Sequence, residues 1–270
     1  MLLAVPNFSE GRDRAVIEAI GAALGPGLIH ASADADHHRA VYTVEGEPGA
    51  LAETVLAGAR VAVERIDLTR HDGIHPRVGA IDVAPIVYLE DAGRGAACAE
   101  ALVLADRLSH ELRLPVFLYG ALAGGRTRAE LRRGGPRELQ RRIEAGELAP
   151  DAGPRRLHPT AGAVLVAARP PLAAFNVAVG TTLAEAKAIA ATLRATLPGV
   201  KALGLRLERA GIVQVSTNIE DLTATTPSDV VRAVQRHAPV TGAELIAPAP
   251  RSAFADFPAE IPLESAPLLG

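Results

Sequence analysis

The sequence predicts an α/β fold, α+β in its stricter sense, built in two parts. Three observations carry that prediction. Short apolar, β-branched runs alternate with amphipathic stretches at helical spacing along both halves of the chain. Tight polar turns join several of these runs, which pairs them antiparallel. Pro170-Pro171 then breaks the apolar signal between Ala168 and Leu172, dividing 1–169 from 170–250 and leaving 251–270 as an extended tail.

Leu2 to Val5 reads as a buried strand stopped by Pro6. The polar turn Asn7-Phe8-Ser9-Glu10-Gly11 leads into an amphipathic helix from Arg14 that ends at Gly25-Pro26-Gly27. A polar loop between a buried strand and a helix N-terminus suits anions or carbonyls, and it is also what any strand-to-helix connection looks like. Leu28 to Ala33 and Ala40 to Val44 are strands around the polar cluster Asp34-Ala35-Asp36-His37-His38-Arg39. Pro48 opens a helix over Gly49 to Arg65, with Leu51, Val55, Ala59 and Ala62 in one apolar stripe. Ala80 to Leu89 is a buried strand, Gly93 to Arg113 a helix, and Pro115 to Gly120 a strand.

From Ala121 to Pro159 the composition turns Arg/Gly-rich, which predicts a functional or disordered connection with a short helix, about Arg137 to Ala145, that has little to bury. Strand signal returns at Gly162 to Ala168 and Leu172 to Val179. There follow a helix (Leu183 to Thr196), strands (Lys201 to Leu207 and Gly211 to Thr217), a helix (Pro227 to Gln235) and a strand (Ala243 to Ile246). The Pro/Ala-rich end, Ala247 to Gly270, is expected to lie over the surface.

Composition narrows the function classes. The 49% hydrophobic and 22% charged fractions suit a globular protein with a real core. Only 3% of residues are aromatic and none is Trp, which argues against single-stranded nucleic-acid binding on stacking platforms. The net charge of −3 gives no electrostatic case for nucleic acid or acidic lipid. Cys98 is the one cysteine, which excludes an intrachain disulfide and a Cys-rich metal site. The apolar N-terminal run is too short for a signal peptide and no run approaches membrane-spanning length, so a cytoplasmic protein without membrane partners is expected.

Chemistry concentrates in His71-Asp72-Gly73-Ile74-His75-Pro76-Arg77-Val78-Gly79-Ala80-Ile81-Asp82. Two histidines, two aspartates and an arginine stand on a loop that glycine and proline keep from becoming a helix, just before a core strand. A turn with solvated charges would read the same way. The Asp34–Arg39 cluster invites a metal reading, but its spacing is not that of a helical two-histidine site, and no metal is expected.

Several motifs, in order along both halves, decide between these readings: Val5-Pro6-Asn7-Phe8-Ser9-Glu10-Gly11, Arg39-Ala40-Val41-Tyr42-Thr43, His75-Pro76-Arg77-Val78-Gly79-Ala80-Ile81-Asp82, Val116-Phe117-Leu118-Tyr119-Gly120, Ala174-Phe175-Asn176-Val177 and Gln214-Val215-Ser216-Thr217-Asn218. Together they resemble the formiminotransferase domain family over roughly residues 1–250. The resemblance implies two subdomains, each a mostly antiparallel mixed sheet with helices packed on one face, and a folate channel between them. It implies transfer of a formimino group between N-formimino-L-glutamate and tetrahydrofolate as co-substrate, within histidine catabolism and one-carbon metabolism. It places the catalytic histidine on His75 and an associated aspartate on Asp34. Some members carry a fused cyclodeaminase domain, which is not expected here. Three positions depart from the family pattern: Ile74 stands where glutamate is common, Leu148 and Ala152 replace loop aromatics, and His38 replaces an asparagine.

A histidine titrating near pH ~6.5 suits both proton steps of such a transfer, and a carboxylate such as Asp34 could orient its ring. Arg39, Arg77 and Arg169 are candidates for substrate carboxylates by planar bidentate geometry. Asn7, Asn176 and Asn218 suit carbonyl and amide groups, although loop asparagines often only form turns. Ser9, Glu10, Gly79 and Tyr119, from the shared motifs, complete the expected substrate- and folate-binding set. The alternatives are a folate-binding or scaffold protein without turnover, motivated by Ile74 and the missing aromatics, and a transferase of the same fold with a formyl donor or another amine acceptor. A homodimer is among the assemblies the sequence allows.

Overall fold

In the computed structural model, which describes all residues from 1 to 270, the chain divides into two units, Met1–Pro170 and Pro171–Gly270. The first begins with β1 (Leu2–Ala4) and β2 (Asn7–Phe8), followed by α1 (Arg14–Leu24), β3 (Leu28–Asp34), β4 (Arg39–Gly46) and α2 (Leu51–Arg65). It continues with β5 (Ile81–Tyr88), α3 (Arg94–Glu111), β6 (Val116–Leu118), α4 (Arg128–Arg132), α5 (Gly135–Glu144) and β7 (Val164–Arg169). β1 and β2 each lie between β4 and β5, antiparallel to both, so they act as one strand interrupted at Val5-Pro6. β3 extends the sheet beyond β4, while β7 and β6 add to the other side parallel to β5. The interrupted central strand matters because it brings Asn7 and Ser9 to the end of the sheet where the His71–Arg77 loop enters β5.

Alternation along the strands produces two apolar faces. On one, Tyr42, Ile81, Ile86, Val164 and Val166 meet Ile20 of α1, Leu56 of α2 and Leu104 of α3, all essentially out of solvent. On the other, Val83, Phe117 and Leu165 meet Leu131 of α4 and Leu139 and Ile143 of α5. This second face corrects one part of the expectation for 121–159, that it would be disordered with little to bury. Low overall apolar content there conceals three well-placed side chains, each worth ~1.5–3 kcal/mol when buried. The segment is an ordered cover.

The second unit contains β8 (Ala173–Val179), α6 (Leu183–Thr196), β9 (Val200–Leu207), β10 (Ile212–Ile219), α7 (Pro227–Gln235), β11 (Val240–Leu245), β12 (Ala249–Pro250), β13 (Leu263–Ser265) and β14 (Leu268–Leu269). Its main sheet runs β13-β11-β8-β10-β9, antiparallel except for the edge pair β11–β13. Phe175, Val177, Val215 and Ile219 face Ile189 and Leu193 of α6 and Val230 and Val234 of α7. Both helices start on capping boxes, Thr182 with Glu185 and Thr226 with Asp229, which satisfy N-terminal amides otherwise left without partners. The tail departs from expectation. Phe254 and Phe257 pack edge-on against Phe175 at 6.1 and 6.0 Å between ring centres, and Ile261 and Ala266 are buried. It belongs to the core of this unit. No helix is long and apolar enough to cross a membrane.

Candidate active site

The His71–Arg77 loop is held from within and from below. The Arg77 guanidinium donates to the carbonyls of Gly73 (2.7 Å), His75 (2.9 Å) and His71 (3.0 Å), tying the loop around itself. The loop rests on the turn between β3 and β4, where Ile74 N–H donates to the Asp36 carbonyl at 3.2 Å and the His71 ring meets the His38 carbonyl at 3.0 Å. His38 takes a left-handed conformation (φ 50°), unusual for a side-chain-bearing residue, and its ring stacks on His71 at 4.1 Å. Burial, then the charges of Arg77 and His38, push the His71 pKa down to about 4. Its neutral ring is part of this stack.

His75 sits on the opposite flank of the loop. The residue keeps some surface, yet its Nδ1 is shut off from solvent and has no hydrogen-bond partner. Burial, followed by the charges of Arg39, Arg132 and His37, holds its pKa well below the ordinary histidine value. The ring is therefore neutral, and available as a base, throughout the neutral range. The His37 ring lies 6.1 Å away, centre to centre.

Asp34 differs from expectation. Its Oδ1 accepts from the His37 Nδ1 (2.9 Å) and backbone N–H (2.7 Å), so it orients His37 rather than His75. The reason is local: with β3 ending at Asp34, the turn brings the residue three positions on back over its carboxylate. Burial works to raise the Asp34 pKa, and the hydrogen bonds and charge of His37 outweigh it, leaving it lowered. The contact keeps the proton of a neutral His37 on Nδ1.

Beneath these rings is a buried ionic cluster. Asp82 is fully buried; its Oδ2 accepts from Arg39 Nη1 at 2.7 Å and from Arg132 Nη2, and its Oδ1 accepts from Val78 N–H at 2.8 Å. Burial acts to raise the Asp82 pKa, but Arg132 and Arg39 hold it below the usual carboxylate range. Burial takes Arg39 down to about 10 against the pull of Asp82, so it stays charged at neutral pH. Arg39 Nε also donates to Asn7 Oδ1 at 3.0 Å, and Asn7 Nδ2 donates to the Val5 carbonyl at 2.8 Å. Two guanidiniums thus share one carboxylate.

The other expected residues take several places. Ser9 is buried and donates from Oγ to the Gly79 carbonyl at 2.7 Å. Gly79 is required by close approach: a side chain there would run into the Ala163 carbonyl oxygen. Glu10 accepts from the N–H groups of Arg12 (2.7 Å) and Asp13 (2.9 Å) ahead of α1 and lies 3.3 Å from His38 Nδ1. Tyr119 is buried, its hydroxyl lacks a partner, and the Arg128 guanidinium lies 5.7 Å from its ring centre. Arg169 ends β7 and donates to the Pro170 carbonyl at 2.9 Å. In the second unit, Asn176 is buried and donates to Glu244 at 3.3 Å, while Asn218 stands opposite Ala174 on β8 and Lys201 on β9. The arrangement therefore gathers Asn7, Arg39 and His75 and adds His37, Asp82 and Arg132, which the expected set lacked. Arg132 could have been found through Thr127-x-x-Glu130, the capping box that starts α4.

The fold and this cluster define a two-unit α/β protein with a neutral histidine set beside buried arginines at the end of a sheet. Residues 1–169 match the N-terminal subdomain of the formiminotransferase domain, and residues 174–259 match the formiminotransferase domain. The chain belongs to the formiminotransferase domain family. A glutamate formimidoyltransferase of Streptococcus pyogenes serotype M1 is 36% identical over 268 residues, covering 93% of this chain and 90% of the relative. One from Thermoplasma acidophilum is 34% identical over 234 residues, covering 82% and 77%. The formimidoyltransferase-cyclodeaminase of Gallus gallus is 39% identical over 273 residues, covering 93% of this chain and 50% of the relative. The chain thus spans about half the length of its vertebrate relatives and most of the streptococcal one.

Proposed function

We propose that the chain is a folate-dependent glutamate formimidoyltransferase, moving a formimino group between N-formimino-L-glutamate and tetrahydrofolate with His75 as general base. The observation that carries this reading is the neutral His75 imidazole beside Arg39 and Arg132 in a chain of this family. In either direction an amine attacks an amidine-type carbon and must lose a proton, while the departing nitrogen must gain one. His75 takes the first proton and returns it to the leaving nitrogen. Its position near two cations makes the protonated form a strong acid, which favours the return step. His37, oriented by Asp34, borders the same space, and Arg39 and Asn7 hold its floor. Tetrahydrofolate is the acceptor that the family implies, and the cytoplasm is the setting that goes with it.

Incubating the purified chain with N-formimino-L-glutamate, with and without tetrahydrofolate, tests the reading. Glutamate release that requires the folate supports it. Folate binding without release would instead favour the scaffold alternative.

A further inference from the structure

Arg132 enters the site from a segment outside the recognised motifs, and its surroundings are unusual in three ways. It is almost buried, at 11% side-chain exposure, yet its Nε has no hydrogen-bond partner. It shares Asp82 with Arg39, which leaves one positive charge in excess among the three groups. And α4 places Arg128 one helical turn before it, on the same face. Arg128 lies over the ring of Tyr119, whose buried hydroxyl is also without a partner. Buried donors left unsatisfied cost ~1–3 kcal/mol each, so the Arg132 Nε and the Tyr119 hydroxyl, linked through Arg128, call for an acceptor.

We propose that Arg132 and Tyr119 form a receptor for a glutamyl carboxylate and so select the dicarboxylic amino-acid substrate. Both groups present hydrogen-bond donors without partners, and the guanidiniums of Arg39 and Arg132 outnumber the one carboxylate they share, which favours an anion. A glutamyl carboxylate has two sources in this reaction, the amino acid and the tail of the folate. Proximity favours the amino acid. Arg132 is near enough to His75 to act on its charge, and glutamate carries its carboxylates within a few bonds of the reacting nitrogen, whereas the folate tail is remote from its own reacting nitrogen. The proposal rests on the formimino-transfer reading and extends it to substrate selection.

The test uses the whole chain and the variants Arg132→Gln, Arg132→Lys and Tyr119→Phe, with each substrate varied in turn. Arg132→Gln should raise the KM for N-formimino-L-glutamate about tenfold to a hundredfold, as expected for a lost charge-assisted hydrogen bond. The KM for tetrahydrofolate should change little, while kcat should also fall, because Arg132 is one of the two cations acting on His75. Arg132→Lys keeps the charge but loses the planar fork and should fall between. Tyr119→Phe, which keeps the ring, should raise the same KM about threefold to tenfold and carries the test if Arg132→Gln fails to fold. An unchanged amino-acid KM in Arg132→Lys and Tyr119→Phe would overturn the proposal. So would a defect confined to the folate KM that vanishes with tetrahydropteroate, which lacks the glutamyl tail. Thermal melts with added glutarate read the receptor without turnover. Stabilisation of the wild type that weakens in Tyr119→Phe supports it even if no formimino transfer is found, and no stabilisation of the wild type overturns it.

Discussion

Asp82→Asn tests the electrostatic floor of the site. The carboxylate is fully buried, and its two arginine partners keep only 9% and 11% of their side-chain surface. Asparagine preserves the shape and one oxygen for Val78 N–H but removes the carboxylate charge with which both Arg39 and Arg132 pair. Breaking a buried ion pair by removing one partner costs ~3–5 kcal/mol. For a chain of this size each kcal/mol lowers Tm by ~2–4 °C, so the variant should melt ~6–20 °C below wild type at pH 7. The pH dependence follows from the sign of the Asp82 shift. Its folded pKa is lowered, so its stabilisation is complete above the unfolded value near ~4 and is lost as pH falls through the lower folded value. The gap in Tm should therefore hold from pH 8 to 5 and shrink below ~4. Thermal melts followed by circular dichroism at several pH values make the comparison. A shift below ~2 °C at pH 7, which is less than one kcal/mol, would refute the argument that this carboxylate balances two buried cations.

Gly79→Ala should cost at least ~3 kcal/mol or prevent folding, because its Cβ meets the Ala163 carbonyl, whereas Gly95→Ala on open space in α3 should be neutral or stabilise by ~1 kcal/mol; denaturant titrations compare the two. Asp34→Asn releases the His37 ring and should lower turnover about tenfold, equivalent to ~1.4 kcal/mol, and unchanged kinetics would remove His37 from the site. The lowered pKa of His75 preserves its base form into acid, so the acidic limb of kcat/KM should lie below ~6.5, and a limb above that value would contradict the environment described.

Local signals made much of the fold legible. α6 and α7 occupy the stretches that periodicity predicts, Leu183–Thr196 and Pro227–Gln235, because each has a capping box and an uninterrupted apolar stripe. The α/β class and the strands around His75 follow from β-branched runs in the same way. What stayed hidden depended on contacts between distant segments. The apolar side chains of α4 and α5 are too few to form a stripe, but Leu131, Leu139 and Ile143 all land on the sheet. The tail reads as Pro/Ala-rich surface chain until Phe254 and Phe257 meet Phe175, some 80 residues earlier. In the site, the His-Pro-Arg motif marked His75. Arg77 has the planar group suited to a carboxylate, and the fold engages it on three carbonyls of its own loop. Arg132 has no such motif and reaches Asp82 across 50 positions.

The most direct test of the account compares His75→Ala with His71→Ala in steady-state formimino transfer, with tetrahydrofolate affinity measured alongside. His75 is the neutral imidazole beside the buried arginines, while His71 is stacked on His38 within the loop. Removing a general base should lower kcat about a hundredfold or more with folate affinity retained, while His71→Ala should change kcat by less than about tenfold. Equal, small losses in the two variants would contradict the assignment of proton transfer to His75.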